Sequence, residues 1–123
     1  MYIIFGADKA EALREDEKYI VLELDTVKMP DESIMTAFCV VEKVPLGELS
    51  QVPAHQTWHA EMLNDYRAKN WDQCIRSIDM LMGHFNGELD SFYKILRARV
   101  EKFKVEGPGP NWSGVYEPGS VTV

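Results

Sequence analysis

The spacing of apolar residues changes once along this chain, near residue 54, and that change constrains the fold more than any other feature. Before it, YIVLELDTVK (19–28) and IMTAFCVVEKV (34–44) are dense in β-branched and aromatic residues, and Leu22 and Leu24 alternate with Glu23 and Asp25 as on the two faces of a strand. After it, Trp58, Met62 and Tyr66 recur every four residues. Trp71, Cys74, Ile75, Ile78, Leu81, Met82 and Phe85 then trace one helical stripe, and Leu89, Phe92, Tyr93, Leu96, Val100 and Phe103 trace another. A period of two that gives way to a period near 3.6 predicts an α+β chain with its strands first and its helices second.

The strand part reads as β-α-β-β over residues 1–50. YIIFG (2–6) is a short apolar run closed by glycine, and Asp8 and Glu11 stand at the spacing of a capping box for a short helix. Between the two longer strands, Pro30 and Asp31 of MPDES favour a turn, which makes the pair an antiparallel hairpin with the first strand beside it. Residues 51–123 read as a second unit of three helices, roughly 54–69, 71–85 and 88–105, broken at Asn70 and at Asn86-Gly87. Loops this short fold neighbouring helices into antiparallel hairpins. The connector PLGELSQVP, with Pro45 and Pro53, is expected to be short and partly ordered. The closing stretch GPGPNWSGVYEPG is expected to stop the third helix and lay Trp112, Val115 and Tyr116 back on the helical hairpin.

Charge narrows the function classes. The 123 residues carry a net −7, with eleven acids against five bases in residues 1–53 and nine against eight in 54–123. Binding to nucleic acid is driven by cationic neutralisation of phosphates, which this balance opposes. Cys39 and Cys74 lie far apart in apolar surroundings and read as small core residues of a reduced protein, not as a disulfide framework or metal knuckle. There is no basic, apolar leader and no run near the roughly 18 apolar residues of a membrane span, so a cytoplasmic protein without membrane contact is expected.

Candidates for chemistry are few. His55 and His59 are four apart on a helix, a spacing that places two imidazoles on one metal, with Glu61 or Asp65 as a third donor. The zincin pattern needs glutamate after the first histidine, and Gln56 stands there, so both histidines are expected to be exposed or capping. His84 in MGHF and the cations Lys94, Arg97, Arg99, Lys102 and Lys104 fit the carbonyl ends of helix dipoles. Cys39 lies inside the strand FCVVE, without the electropositive surroundings of a nucleophile. The acidic runs LREDE (13–17) and PDE (30–32) read as solvated faces. No catalytic, cofactor-binding or metal-binding residue is assigned.

One resemblance adds to this. YRAKNWDQCIRSIDML (66–81) follows the tetratricopeptide pattern of an aromatic, a polar turn, an aromatic and a small residue, with Cys74 where alanine is usual. With Asp90, Tyr93, Arg97 and then Trp112, Gly114 and Val115, residues 60–116 resemble the tetratricopeptide-like helical segment at the C-terminal end of bacterial class III adenylate and guanylate cyclases. In that family the aspartate and tyrosine are four apart, and here they are three apart. The resemblance implies an accessory helical module without cyclase activity, because the metal-binding aspartates and base-reading residues of a class III domain have no counterpart in residues 1–53. The chain as a whole also resembles small proteins of marine phages and bacteria, which implies no activity.

The expected function is therefore a non-enzymatic interaction or assembly module, without cofactor or metal, that meets a protein partner or itself as a homo-oligomer. An edge strand or a helical face would supply the contact. The alternative is a small-molecule or enzymatic site between the β unit and the helices, lined by Trp58, Tyr66 or His55.

Overall fold

The computed structural model describes residues 2–43, 51–109 and 112–116. The chain is α+β: β1 (Tyr2–Phe5), α1 (Ala7–Arg14), β2 (Tyr19–Lys28), β3 (Ile34–Glu42), α2 (Val52–Arg67), α3 (Trp71–Leu81), a 3-10 turn at Phe85–Gly87, α4 (Asp90–Glu106) and β4 (Val115–Tyr116). It divides into two compact units, one of Met1–Lys43 with Pro110–Val123 and one of Val44–Gly109. The connector residues 44–50 lie outside the described residues, whereas Val52 and Pro53 open α2.

The first unit is a four-stranded sheet of order β1-β3-β2-β4. The expected hairpin of β2 and β3 forms, and its turn is built as the sequence suggests. Asp31 Oδ1 accepts from the Ser33 amide at 3.0 Å and from Ser33 Oγ at 2.6 Å. Glu32 takes a left-handed φ of 71° to close the turn. β1 pairs antiparallel with β3, Ile3 opposite Cys39 and Phe5 opposite Ala37. α1 starts directly after Gly6, whose φ is 100°, and no side chain caps it, so Asp8 sits inside the first turn and the expected capping box does not form. Ala10 packs with Val21, Phe38 and Val40 in a buried cluster edged by Ile4, Leu13 and Tyr19, and the Arg14 guanidinium lies 5.5 Å from the centre of the Phe38 ring.

Two findings in the sheet depart from the sequence reading. The register of β2 slips between Glu23 and Asp25, so Leu24 is the extra residue of a β-bulge. Leu22 pairs with Cys39 and Asp25 with Ala37, which places Asp25 on the Leu22 face; Leu24 and Asp25 are then both buried. Strict alternation cannot survive an inserted residue, because each one-residue slip turns every later side chain to the other face. The second departure is the tail. Val115 and Tyr116 pair in parallel with Thr26 and Val27, so these residues join the sheet as β4, where the sequence reading lays them on the helical hairpin. Trp112 is half-buried. The tail thus groups with the sheet, whereas the expected division at residue 50 put it with the helices.

The second unit holds the three expected helices. Ion pairs join Asp79 to Arg97 and Asp72 to Lys104, so α3 runs antiparallel to α4. His59 meets Tyr93 and Tyr66 meets Phe103, so α2 runs parallel to α4. Met62, Leu63, Tyr66, Cys74, Ile78, Leu81, Leu89, Tyr93, Leu96, Val100 and Phe103 are buried together with His55 and His59. α3 stops at Leu81, earlier than the periodicity predicts, because Gly83 turns to φ 87° and the chain then makes a left-handed turn through Phe85 (54°), Asn86 (59°) and Gly87 (73°). Glycine and asparagine accept that region at little cost, but an aromatic residue there is strained. The first-turn acid of α4 secures the turn, since Asp90 Oδ1 accepts the Gly83 amide at 2.8 Å. Among the described residues no helix is long and apolar enough to cross a membrane.

Candidate interaction surfaces

The three histidines of the chain are all in the helical unit, and all three occupy positions that the sequence reading did not give them. His55 and His59 were expected to be exposed or capping; they are 1% and 2% exposed, on the buried side of α2. His84 was expected in the last turn of α3; it lies beyond that helix in extended backbone, before the 3-10 turn. Its ring centre is 3.9 Å from that of His55, with Trp58 at 5.2 Å and Phe85 at 5.8 Å from His55. His59 Nδ1 and Tyr93 Oη share a hydrogen bond of 3.0 Å, beside the Phe92 ring. These imidazoles are packing elements with a polar edge, each set against an aromatic neighbour. Among the described residues no three His, Cys, Asp or Glu side chains stand where they could hold a metal ion, and neither Glu61 nor Asp65 completes such a set with His55 and His59.

A second aromatic group fills the other end of the unit. Tyr66 stacks on Phe103 at 6.5 Å and meets Trp71 edge-on at 6.2 Å, and its hydroxyl accepts from Arg99 Nη1 at 3.1 Å. Cys74 beside them is fully buried, and desolvation, with the charge of Asp65 adding to it, pushes its thiol up to about 12. A thiol so held is unreactive near neutral pH. Cys39 in β3 is fully buried as well.

The cations of α4 serve cross-helix ion pairs more than the helix dipole. Arg97 Nε donates to Asp79 at 2.9 Å, Arg97 also binds Glu101, and Lys104 binds Asp72. These contacts hold the carboxyls of Asp79 and Asp72 below the usual carboxylate range, through the hydrogen bonds from Arg97 and Lys104 first. An open groove of about 400 Å³ lies beside the second pair, lined by Lys69, Trp71, Asp72, Arg76 and Lys104 among others. In its lining the Asp72 carboxylate is paired with Lys104.

Two exposed surfaces carry apolar side chains. On β1, Tyr2 (50%), Ile3 (52%) and Phe5 (40%) are exposed on a strand whose outer edge has no neighbour among the described residues. On α4, Ile95 and Val105 are exposed at 62% and 85%. Of the residues named for a pocket from sequence, Tyr66 and His55 are enclosed by their own ring contacts and Trp58 is half-buried. Comparison with protein-family models, curated proteins and solved structures finds no match for this chain.

Proposed function

We propose that this protein is a non-enzymatic interaction module whose β1 edge takes up an extended segment of a partner polypeptide. The observation that carries the reading is the chemistry of that edge. Natural sheets guard a free edge with lysine, proline, a bulge or an inward charge, because unpaired amides and carbonyls template further strands. Tyr2–Phe5 is guarded only by its shortness: it is four apolar residues in regular register with β3, three of them 40–52% exposed. Strand addition to such an edge gains main-chain hydrogen bonds for affinity and side-chain contacts at alternate positions for specificity.

The interior supports the same reading. The groups that would do acid–base or nucleophilic work, His55, His59, Tyr66, Tyr93 and Cys74, are enclosed in the helical packing. The resemblance of residues 60–116 to an accessory segment of cyclases agrees with a role in contact and not in chemistry.

Ile3→Lys tests this, since it places a charge at the centre of the edge without touching the buried cluster. Size-exclusion chromatography with light scattering and affinity capture should show an association of the parent protein that the variant loses, at an unchanged melting temperature. A parent that stays monomeric and captures nothing, or a variant that associates as well as the parent, sinks the reading.

A further inference from the structure

The outer face of α4 repeats the logic of its inner face. Leu89, Tyr93, Leu96, Val100 and Phe103 form the buried stripe. Almost diametrically opposite, Ile95, Ala98, Lys102 and Val105 follow at steps of three, four and three, the spacing of a coiled-coil seam. Ile95 (62% exposed), Ala98 and Val105 (85% exposed) face outward. Single exposed apolar residues are ordinary on a protein surface, but a seam at heptad spacing on a 17-residue helix is a docking pattern.

The charges beside the seam say what docks. Lys94 and Glu101 flank it on one side, and Arg99 and Glu106 on the other; within the chain Glu101 also pairs with Arg97, Glu106 with Lys102, and Arg99 with the Tyr66 hydroxyl. If a second α4 lies antiparallel on the first, with Ile95 over Val105 and Ala98 over Lys102, each flank meets its own kind: Lys94 faces Glu101 of the second copy, and Arg99 faces Glu106, each twice by symmetry. A parallel pair sets Lys94 against Arg99 and Glu101 against Glu106, like on like. We infer that the protein forms an antiparallel two-fold dimer with a second copy of itself through the Ile95–Val105 face of α4. A seam on one helix buries less than the roughly 1,200 Å² of stable complexes, so the dimer is weak and concentration-dependent. The inference deepens the interaction-module reading by naming a partner, and it rests on that reading only in its claim that the chain acts through protein contacts; it does not depend on β1.

Sedimentation equilibrium from micromolar to millimolar protein tests it. The parent should show a monomer–dimer equilibrium, and Ile95→Glu should weaken it about tenfold or more, with no loss of melting temperature because the site is exposed. Lys94→Glu alone should weaken the dimer, and Lys94→Glu with Glu101→Lys should restore it. A monomer throughout the range overturns the inference. So does a dimer strengthened by Lys94→Glu, which is the parallel signature, or a swap that stays weak. If Ile3→Lys abolishes association while Ile95→Glu leaves it intact, the β1 reading stands and this one falls. Should Ile95→Glu misfold, Lys94→Glu still decides, because Lys94 is exposed.

Discussion

The sheet unit and the helical unit handle polar groups in different ways. In the sheet unit Asp31 accepts from Ser33 two positions on and Asp25 accepts from the neighbouring Thr26 amide, and a backbone ladder joins β2 to β3. In the helical unit side chains tie distant positions together: His59 with Tyr93 across 34 residues, Arg99 with Tyr66 across 33 and Arg97 with Asp79 across 18. A ladder made of main chain tolerates exchange of side chains, whereas a core assembled from paired imidazole, phenol and guanidinium groups depends on the identity of each. The helical unit is therefore the part that conservative substitutions should damage.

Substitutions that spare one unit while harming the other test this contrast. The largest effect is expected from Phe103→Ala, which empties the space between Tyr66 and Trp71 and should cost about 3–5 kcal/mol. Amide hydrogen exchange should then show lost protection in α2 and α4 with β2 and β3 unchanged, and equal loss in both units would break the contrast. Next comes Tyr93→Phe, which keeps the ring but deprives His59 Nδ1 of its phenol, at about 1–3 kcal/mol in chemical denaturation. An unaltered denaturation midpoint would mean that the polar pairing of the core is dispensable.

The smallest effect belongs to Asp79→Asn. Asp79 and Arg97 are partly solvent-exposed, so the ion pair adds little, and its worth depends on pH. Because the Asp79 carboxyl titrates below its ordinary value in the folded protein, its stabilisation is present above the usual carboxylate range and fades as pH falls through the lowered value. The melting temperatures of parent and Asp79→Asn should differ slightly at pH 7 and converge in acid. A difference that persists at pH 2 would assign the effect to packing.

How much of this was legible in sequence follows from what each residue's signal depends on. Tyr19–Lys28 and the start of the second strand at Ile34 were legible because β-branched density and the PDES turn are local features. The bulge at Leu24 was not, since LELD reads as regular alternation and only pairing with β3 reveals the inserted residue. The burial of His55 and His59 is masked in the sequence by Trp58, Met62 and Tyr66, which form a more conspicuous apolar line at four-residue spacing. The buried positions Val52, His55, His59, Met62 and Tyr66 step by three and four, and that spacing would have shown the histidines as core had polar rings been allowed inside. Strand β4 is two residues long and pairs with a partner nearly ninety positions earlier, which no local pattern encodes. For the surfaces, the apolar character of YIIF was plain from the start, whereas its exposure and the open edge required the strand order.

The strand order also has a consequence for biosynthesis. The sheet unit is made of two stretches of chain separated by the whole of Val44–Gly109, so a ribosome finishes β1, α1, β2 and β3 and then emits α2, α3 and α4 before Val115 and Tyr116 emerge to pair with β2. At ordinary translation speeds the Thr26–Val27 edge waits several seconds for its neighbour. During that interval the nascent sheet is open on both sides, at β1 and at β2, and nascent-chain complexes stalled before residue 112 should be bound by chaperones more strongly than complexes stalled after residue 116 has left the exit tunnel.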